Sequence, residues 1–293
     1  MRTEISNRSN EQSERVINQH MIPPFLYGTA WKEGLTQELV AHALQAGFTG
    51  IDTANQRKHY YEEGVGLGIQ QFLNKSPMQR EDLFIQTKFT FAAGQDERKP
   101  YNDQDPFKNQ VTQSFASSLK HLQTEYIDSY VLHGPYYSKG LSPTDWEVWE
   151  AMEQLVHESR VKFLGISNVS ISQLVELYKE VSIKPTFVQN RCFAFNQWDQ
   201  EIRDFCAEHE LVYQGFSLLT ANHPYLSLPL IQSLATKYKK SIPQIIFRFA
   251  KDIGILPLTG TTNPQHMDED LHLDDFHLTI EERRQIELIS LYR

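Results

Sequence analysis

The sequence predicts a single-domain (β/α)8 barrel, and three observations carry that expectation. Short β-rich segments alternate with amphipathic helical stretches eight times between residues 25 and 260, the order of parallel βαβ units. Several of those segments are near-continuous apolar runs, the pattern of strands covered on both faces. The chain is 293 residues long, a length at which parallel barrels fold as one domain. An open doubly wound sheet is the competing arrangement, and it calls for a GxGxxG turn after its first strand. The nearest run, Gly64-Val65-Gly66-Leu67-Gly68, lacks that spacing and lies inside a helical stretch, where close helix packing explains it.

In order, the strand candidates are 25–31 (FLYGTAW), 50–54 (GIDTA), 83–89 (LFIQTKF) and 126–133 (YIDSYVLH). They continue with 161–168 (VKFLGISN), 186–193 (TFVQNRCF), 211–218 (LVYQGFSL) and 253–260 (IGILPLTG). Between them the apolar period is helical: Trp146, Trp149, Met152, Leu155 and Val156 share one face, as do Leu174, Val175, Leu177, Tyr178 and Val181. Residues 1–22 read as a polar N-terminal arm before a barrel over 23–293. Residues 90–107 form a long polar loop at the C-terminal mouth of the barrel, where such loops are often functional.

The formal net charge of -9 leaves no basic stripe for a nucleic-acid backbone and no attraction to an anionic membrane surface. No run approaches the ~20 apolar residues that span a bilayer, and the polar start lacks a signal peptide's apolar core. Two cysteines, Cys192 and Cys206, fit neither a zinc ribbon nor a redox pair and read as core residues. A cytoplasmic protein is the resulting expectation. The histidines show no metal-ligand spacing, so no metal is expected. Nothing in the sequence sets the oligomeric state.

Catalytic groups of a barrel sit at the C-terminal ends of its strands. There the chain offers Asp52, then Tyr60 and Tyr61 in the following loop, Lys88, His133, Ser167-Asn168 and Gln189-Asn190. A phenol is a weak acid near pH 7, and an adjacent ammonium favours its ionised form. A carboxylate would hold that ammonium, and an imidazole would orient a carbonyl oxygen. Such a set protonates an oxygen while another group attacks the carbon.

These segments resemble the aldo-keto reductases: GIDTA (50–54), HYYEEGVGLGI (59–69), LFIQTKF (83–89), YIDSYVLHGP (126–135), GISN (165–168), FVQN (187–190) and PLTGTT (257–262). The resemblance implies NAD(P)H-dependent reduction of a small carbonyl compound, with Tyr60 as general acid, Lys88 and Asp52 tuning it and His133 positioning the carbonyl. It implies a cofactor touching Gly28, Thr29, Asp52, Ser167, Asn168, Gln189, Phe216, Ser217 and Leu219. Phe216 stands where the family stacks a ring on the nicotinamide. Gly260, Thr261, Thr262, His266, Glu269 and Asp270 would line the adenosine end.

The chain departs from the family in three places. The tyrosine usually lies five residues after the aspartate, but position 57 is Arg; His59-Tyr60-Tyr61-Glu62 fits a variant with a longer loop, leaving Tyr61 as the alternative acid. The last loop, 259–270, has no Lys or Arg for a 2′-phosphate, and His266 stands where the Arg is expected. NADP(H) is therefore expected with only a small advantage over NAD(H). No long substrate loop follows the final helical stretch, 278–289, so a broad substrate range is expected. A cofactor-binding regulatory subunit and a Schiff-base barrel using Lys88 are the competing functions.

Overall fold

A computed structural model describes residues 22–291. The predicted arm, apart from Ile22, lies outside the described residues. The eight strands are β1 (Leu26–Gly28), β2 (Gly50–Asp52), β3 (Phe84–Phe89), β4 (Ile127–Leu132), β5 (Val161–Ser167), β6 (Phe187–Arg191), β7 (Val212–Phe216) and β8 (Ile255–Thr259). Each lies within the segment the sequence marks. All pair in parallel in chain order, and β8 closes on β1 through Leu26↔Leu258 and Tyr27↔Thr259.

Helices α1 (Thr36–Ala46), α2 (Glu62–Leu73), α3 (Phe107–Leu122), α4 (Pro143–His157), α5 (Ile171–Glu180) and α6 (Gln200–Glu208) follow the first six strands in turn. A one-turn helix (His223–Leu226) and two longer ones, α7 (Pro229–Tyr238) and α8 (Ile242–Asp252), separate β7 from β8; α9 (Pro264–Leu271) and α10 (Ile280–Glu287) follow β8. Local chemistry sets many of the starts. Ser142, Ser170, Ser241 and Thr279 each cap a helix through a reciprocal box with the residue three positions on.

The two-residue period of the strands sorts their side chains. Tyr27, Ile51, Ile85, Tyr130, Leu164, Val188 and Tyr213 point outward and join the helices in the main core. Leu26, Phe84, Phe187, Leu256 and Leu258 form a second core inside the barrel, where the Phe84 and Phe187 rings meet edge-on at 5.5 Å. The glycine run in α2 packs as the sequence suggests. A Cβ at Gly66 would lie 2.0 Å from the His121 carbonyl oxygen, and one at Gly68 2.5 Å from that of Gln37. Only glycine lets α2 approach α1 and α3 so closely.

Candidate active site

Above the interior core lies a layer of polar side chains. In β3 the inward positions run Phe84, Gln86, Lys88; in β6, Phe187, Gln189, Arg191. Gln86 Nε2 donates to Asp52 Oδ1 at 2.7 Å and to Gln214 Oε1 at 2.8 Å. Gln189 Nε2 donates to the same two oxygens, at 3.0 and 2.9 Å. Gln214 returns an N–H to Gln86 Oε1 at 3.0 Å. This layer, from β2, β3, β6 and β7, is the floor of the site.

Lys88 rises from it. Its ammonium donates to Asp52 Oδ1 at 2.6 Å and to the Thr53 carbonyl at 2.8 Å, with the side chain fully buried. Burial pulls the Lys88 pKa down, and the Asp52 carboxylate offsets part of that pull. The amine is fully buried, with the Tyr60 ring over it, and does not line the cleft, which leaves a carbonyl substrate no route to a Schiff base.

The Tyr60 ring lies over Lys88, with Nζ 5.4 Å from its centroid. His133 meets that ring edge-on at 5.9 Å. Burial, assisted by Asp52, pushes the Tyr60 pKa upward, so the phenol keeps its proton. This runs against the sequence-based expectation of a net downward pull from Lys88, because desolvation of the ring outweighs the cation. His133 is held neutral: burial and the Lys88 charge press its pKa well below the usual imidazole value. Tyr61 lies elsewhere. It lines a separate cavity of about 330 Å³, packs on Gly64 and takes the Arg57 guanidinium over its ring at 4.9 Å.

Tyr60 and His133 open into a cleft of about 1080 Å³ at the C-terminal mouth, the end where barrels carry their sites. Trp31, Phe91, Tyr136 and Tyr137 line it from the loops after β1, β3 and β4. Of the sequence-marked residues, Gly28, Asp52, Ser167, Asn168, Gln189, Phe216, Ser217, Leu219, Gly260, Thr261, His266, Glu269 and Asp270 also line it. Three lining residues, Trp31, Asn168 and Ser217, hold left-handed backbones at φ 63°, 53° and 58°, a strain that non-glycine residues carry mostly at functional sites.

Two marked residues fall outside. Thr29 is fully buried and spends its hydroxyl on the Asp52 carbonyl, because the β1 period turns its neighbours Gly28 and Ala30 to the cleft instead. Thr262 is exposed and does not line the cleft, since the chain turns outward before α9. Burial raises Asp270 to about 7. Both thiols are buried and pushed up to about 12, which fits the core reading and not a nucleophile.

The sequence reading misses two cleft cations. Lys32, in the loop after β1, donates to the Gly260 carbonyl across the mouth. Arg191, at the end of β6, lies 5.7 Å from the Phe216 ring centroid. The signal for Arg191 was available: it is two residues past Gln189, hence on the same inward face.

The volume and lining suit a nicotinamide dinucleotide. An extended cleft of this size offers an aromatic ring, Phe216, for a flat group. Ser167, Asn168 and Gln189 supply amide and hydroxyl partners, and Lys32, Arg191 and the N-terminus of α9 suit phosphates. No helix among the described residues is long and apolar enough to cross a membrane.

Comparison with known proteins agrees with this geometry. The sequence profile described as "Aldo/keto reductase family" matches residues 27–290. The 9,11-endoperoxide prostaglandin H2 reductase of Trypanosoma cruzi is 30% identical over 87% of this chain and 82% of its own length. The NADPH-dependent alpha-keto amide reductase of Saccharomyces cerevisiae is 29% identical over 89% of this chain and 81% of its own. The crystal structure of an aldo-keto reductase of Bombyx mori in complex with NADP superposes with a TM-score of 0.77 at 27% identity, covering 93% of this chain and 91% of that one.

Proposed function

This chain belongs to the aldo/keto reductase family, and on that premise we propose that it reduces small aldehydes or ketones with Tyr60 as the proton donor. It is an NAD(P)H-dependent oxidoreductase, with NADP(H) the favoured cofactor. The observation that carries the residue assignment is the convergence of a protonated phenol, a neutral imidazole and a buried ammonium–carboxylate pair on one point of the cleft.

A reduced nicotinamide dinucleotide, when bound, supplies a hydride. Phe216, Ser167, Asn168 and Gln189 would hold its nicotinamide end; Lys32, Arg191, Thr261 and the start of α9 would hold its phosphates. The protein supplies the rest. His133 and Tyr60 orient the carbonyl oxygen, which takes up the Tyr60 hydroxyl proton as negative charge builds there. The resulting phenolate lies over the Lys88 ammonium. Their attraction offsets part of the burial that disfavours the phenolate. Asp52 keeps Lys88 in place through the 2.6 Å bond. The aromatic walls exclude water and accept apolar groups, and the exposed rim residues Trp31 and Tyr137 leave the mouth broad.

A regulatory barrel without turnover would carry this buried ionic cluster at a cost to stability and with no use for it. The test is oxidation of NADPH and NADH against glyoxal, methylglyoxal, 4-nitrobenzaldehyde and 9,10-phenanthrenequinone. Tyr60→Phe should lower turnover by ~10²-fold or more while NADPH still binds, whereas Tyr61→Phe should stay near wild type. A silent Tyr61→Phe beside an active Tyr60→Phe would refute the assignment.

A further inference from the structure

We propose that Thr90 is a positioning residue that fixes His133 in the tautomer carrying its proton on Nε2, so that the ring presents an N–H to the substrate's carbonyl oxygen. This rests on the reading of His133 as the group that orients the carbonyl.

Thr90 is the first residue past β3 and is buried, and its Oγ1 lies 2.7 Å from His133 Nδ1. A neutral imidazole has one donor and one acceptor nitrogen, and the partner of one nitrogen decides the role of the other. His133 Nδ1 is the only hydrogen-bond partner of Thr90 Oγ1 among the described residues. If Nδ1 carried the proton, the Thr90 hydroxyl would accept it and its own hydrogen would be left buried without an acceptor, a cost of about 1–3 kcal/mol. The ring would then turn a lone pair toward the carbonyl oxygen. With the hydroxyl donating to Nδ1, both costs vanish. The proton moves to Nε2, where it and the Tyr60 hydroxyl can reach the same oxygen.

The surroundings hold Thr90 to this task. Its methyl packs where a Cβ on Gly94 would stand, 2.7 Å away, and a β-branched side chain has few other rotamers. Its carbonyl accepts from Tyr101 Oη at 2.6 Å and Gln95 Nε2 at 3.4 Å. His133 is anchored independently. Its N–H donates to the Phe89 carbonyl at 2.9 Å, and its carbonyl accepts from Asn168 Nδ2 at 2.8 Å. The segment 90–107 thus acts below the mouth, by clamping the residue that orients the imidazole.

The test uses the full chain labelled with 15N-histidine. Two-bond 1H–15N spectra identify the tautomer, with His133→Gln assigning the signals. Wild type should show His133 as Nε2–H. Thr90→Val, equal in shape but without the hydroxyl, should lose that fixed pattern, and Thr90→Ser should restore it. With the aldehyde of the panel that gives the highest kcat/KM, Thr90→Val should lower kcat by about tenfold, leave the NADPH Kd within about twofold and be rescued by Thr90→Ser. An Nδ1–H pattern in wild type, or an unchanged His133 pattern in Thr90→Val, overturns the proposal. A changed pattern with unchanged kcat overturns the use assigned to that tautomer. Wild-type turnover by His133→Gln sinks the reading of His133 itself, whatever Thr90 does.

Discussion

Lys88→Met removes a buried ammonium while keeping most of the side chain's volume. It leaves Asp52, about 4% exposed at its side chain, as a carboxylate without a cation. Breaking a buried ion pair from one side costs about 3–5 kcal/mol. Here Asp52 Oδ1 keeps its bonds from Gln86 and Gln189, so the loss belongs at the lower end, near ~3 kcal/mol. Asp52→Asn alone strands the ammonium instead and should cost about as much. The double variant removes both charges, and asparagine can still accept from the two glutamines. It should recover most of the deficit, giving a coupling of about 2–3 kcal/mol. The assay is urea unfolding of wild type, both singles and the double, with the slope checked for constancy. Singles within ~1 kcal/mol of wild type, or a double whose loss equals their sum, would refute the argument that the pair is one buried electrostatic unit.

Other outcomes follow from the same geometry. Asp270, 2% exposed, is raised from 3.8 to about 7, so the folded state holds its proton more tightly than the unfolded chain. Stability from this group is therefore lost as pH climbs from about 4 through about 7. Asp270→Asn should stabilise the apo protein at pH 8, by on the order of 2–4 kcal/mol, and change little at pH 4. His121 is raised by its 3.0 Å bond to buried Glu62, so its contribution is present below pH ~6.5 and fades as pH rises through the folded value. A wild-type urea midpoint should fall more between pH 6 and pH 8.5 than that of His121→Gln. Lys32→Met and Arg191→Met should each raise the dinucleotide Kd about tenfold and reduce its salt dependence, measured by fluorescence titration with NADPH and NADH side by side. If the two cofactors weaken equally, the cation serves the shared diphosphate; if NADPH weakens more, it serves the 2′-phosphate.

What was legible in the sequence was whatever period and strand-end position determine. All eight strands fall inside their marked segments, since buried parallel strands declare themselves as apolar runs. Asp52, Tyr60, Lys88 and His133 could be collected because each ends or closely follows a strand. Telling Tyr60 from Tyr61 needed the turn before α2, which brings Tyr60 but not Tyr61 to the large cleft. Thr29 and Thr262 do not line the cleft for a related reason: next to a cleft is not in it, and one residue reverses a strand's face. Lys32 was invisible because its contact, with Gly260, joins positions 228 residues apart. Thr90 carries no motif, since its partner stands on the neighbouring strand's loop.

The amide and carboxylate layer across the barrel has a consequence for how this enzyme can change. It ties β2 and β3, which flank Tyr60, directly to β6 and β7 on the opposite wall, so the two halves of the mouth share one datum. Above that plane, the rim residues Trp31, Phe91, Tyr136, Tyr137 and Leu219 are carried by loops. Insertions or exchanges there can redraw the shape of the opening without disturbing the spacing between its walls. A substitution at Gln86, Gln189 or Gln214 would do the reverse, altering reactivity toward every substrate at once while leaving the outline of the mouth as it was.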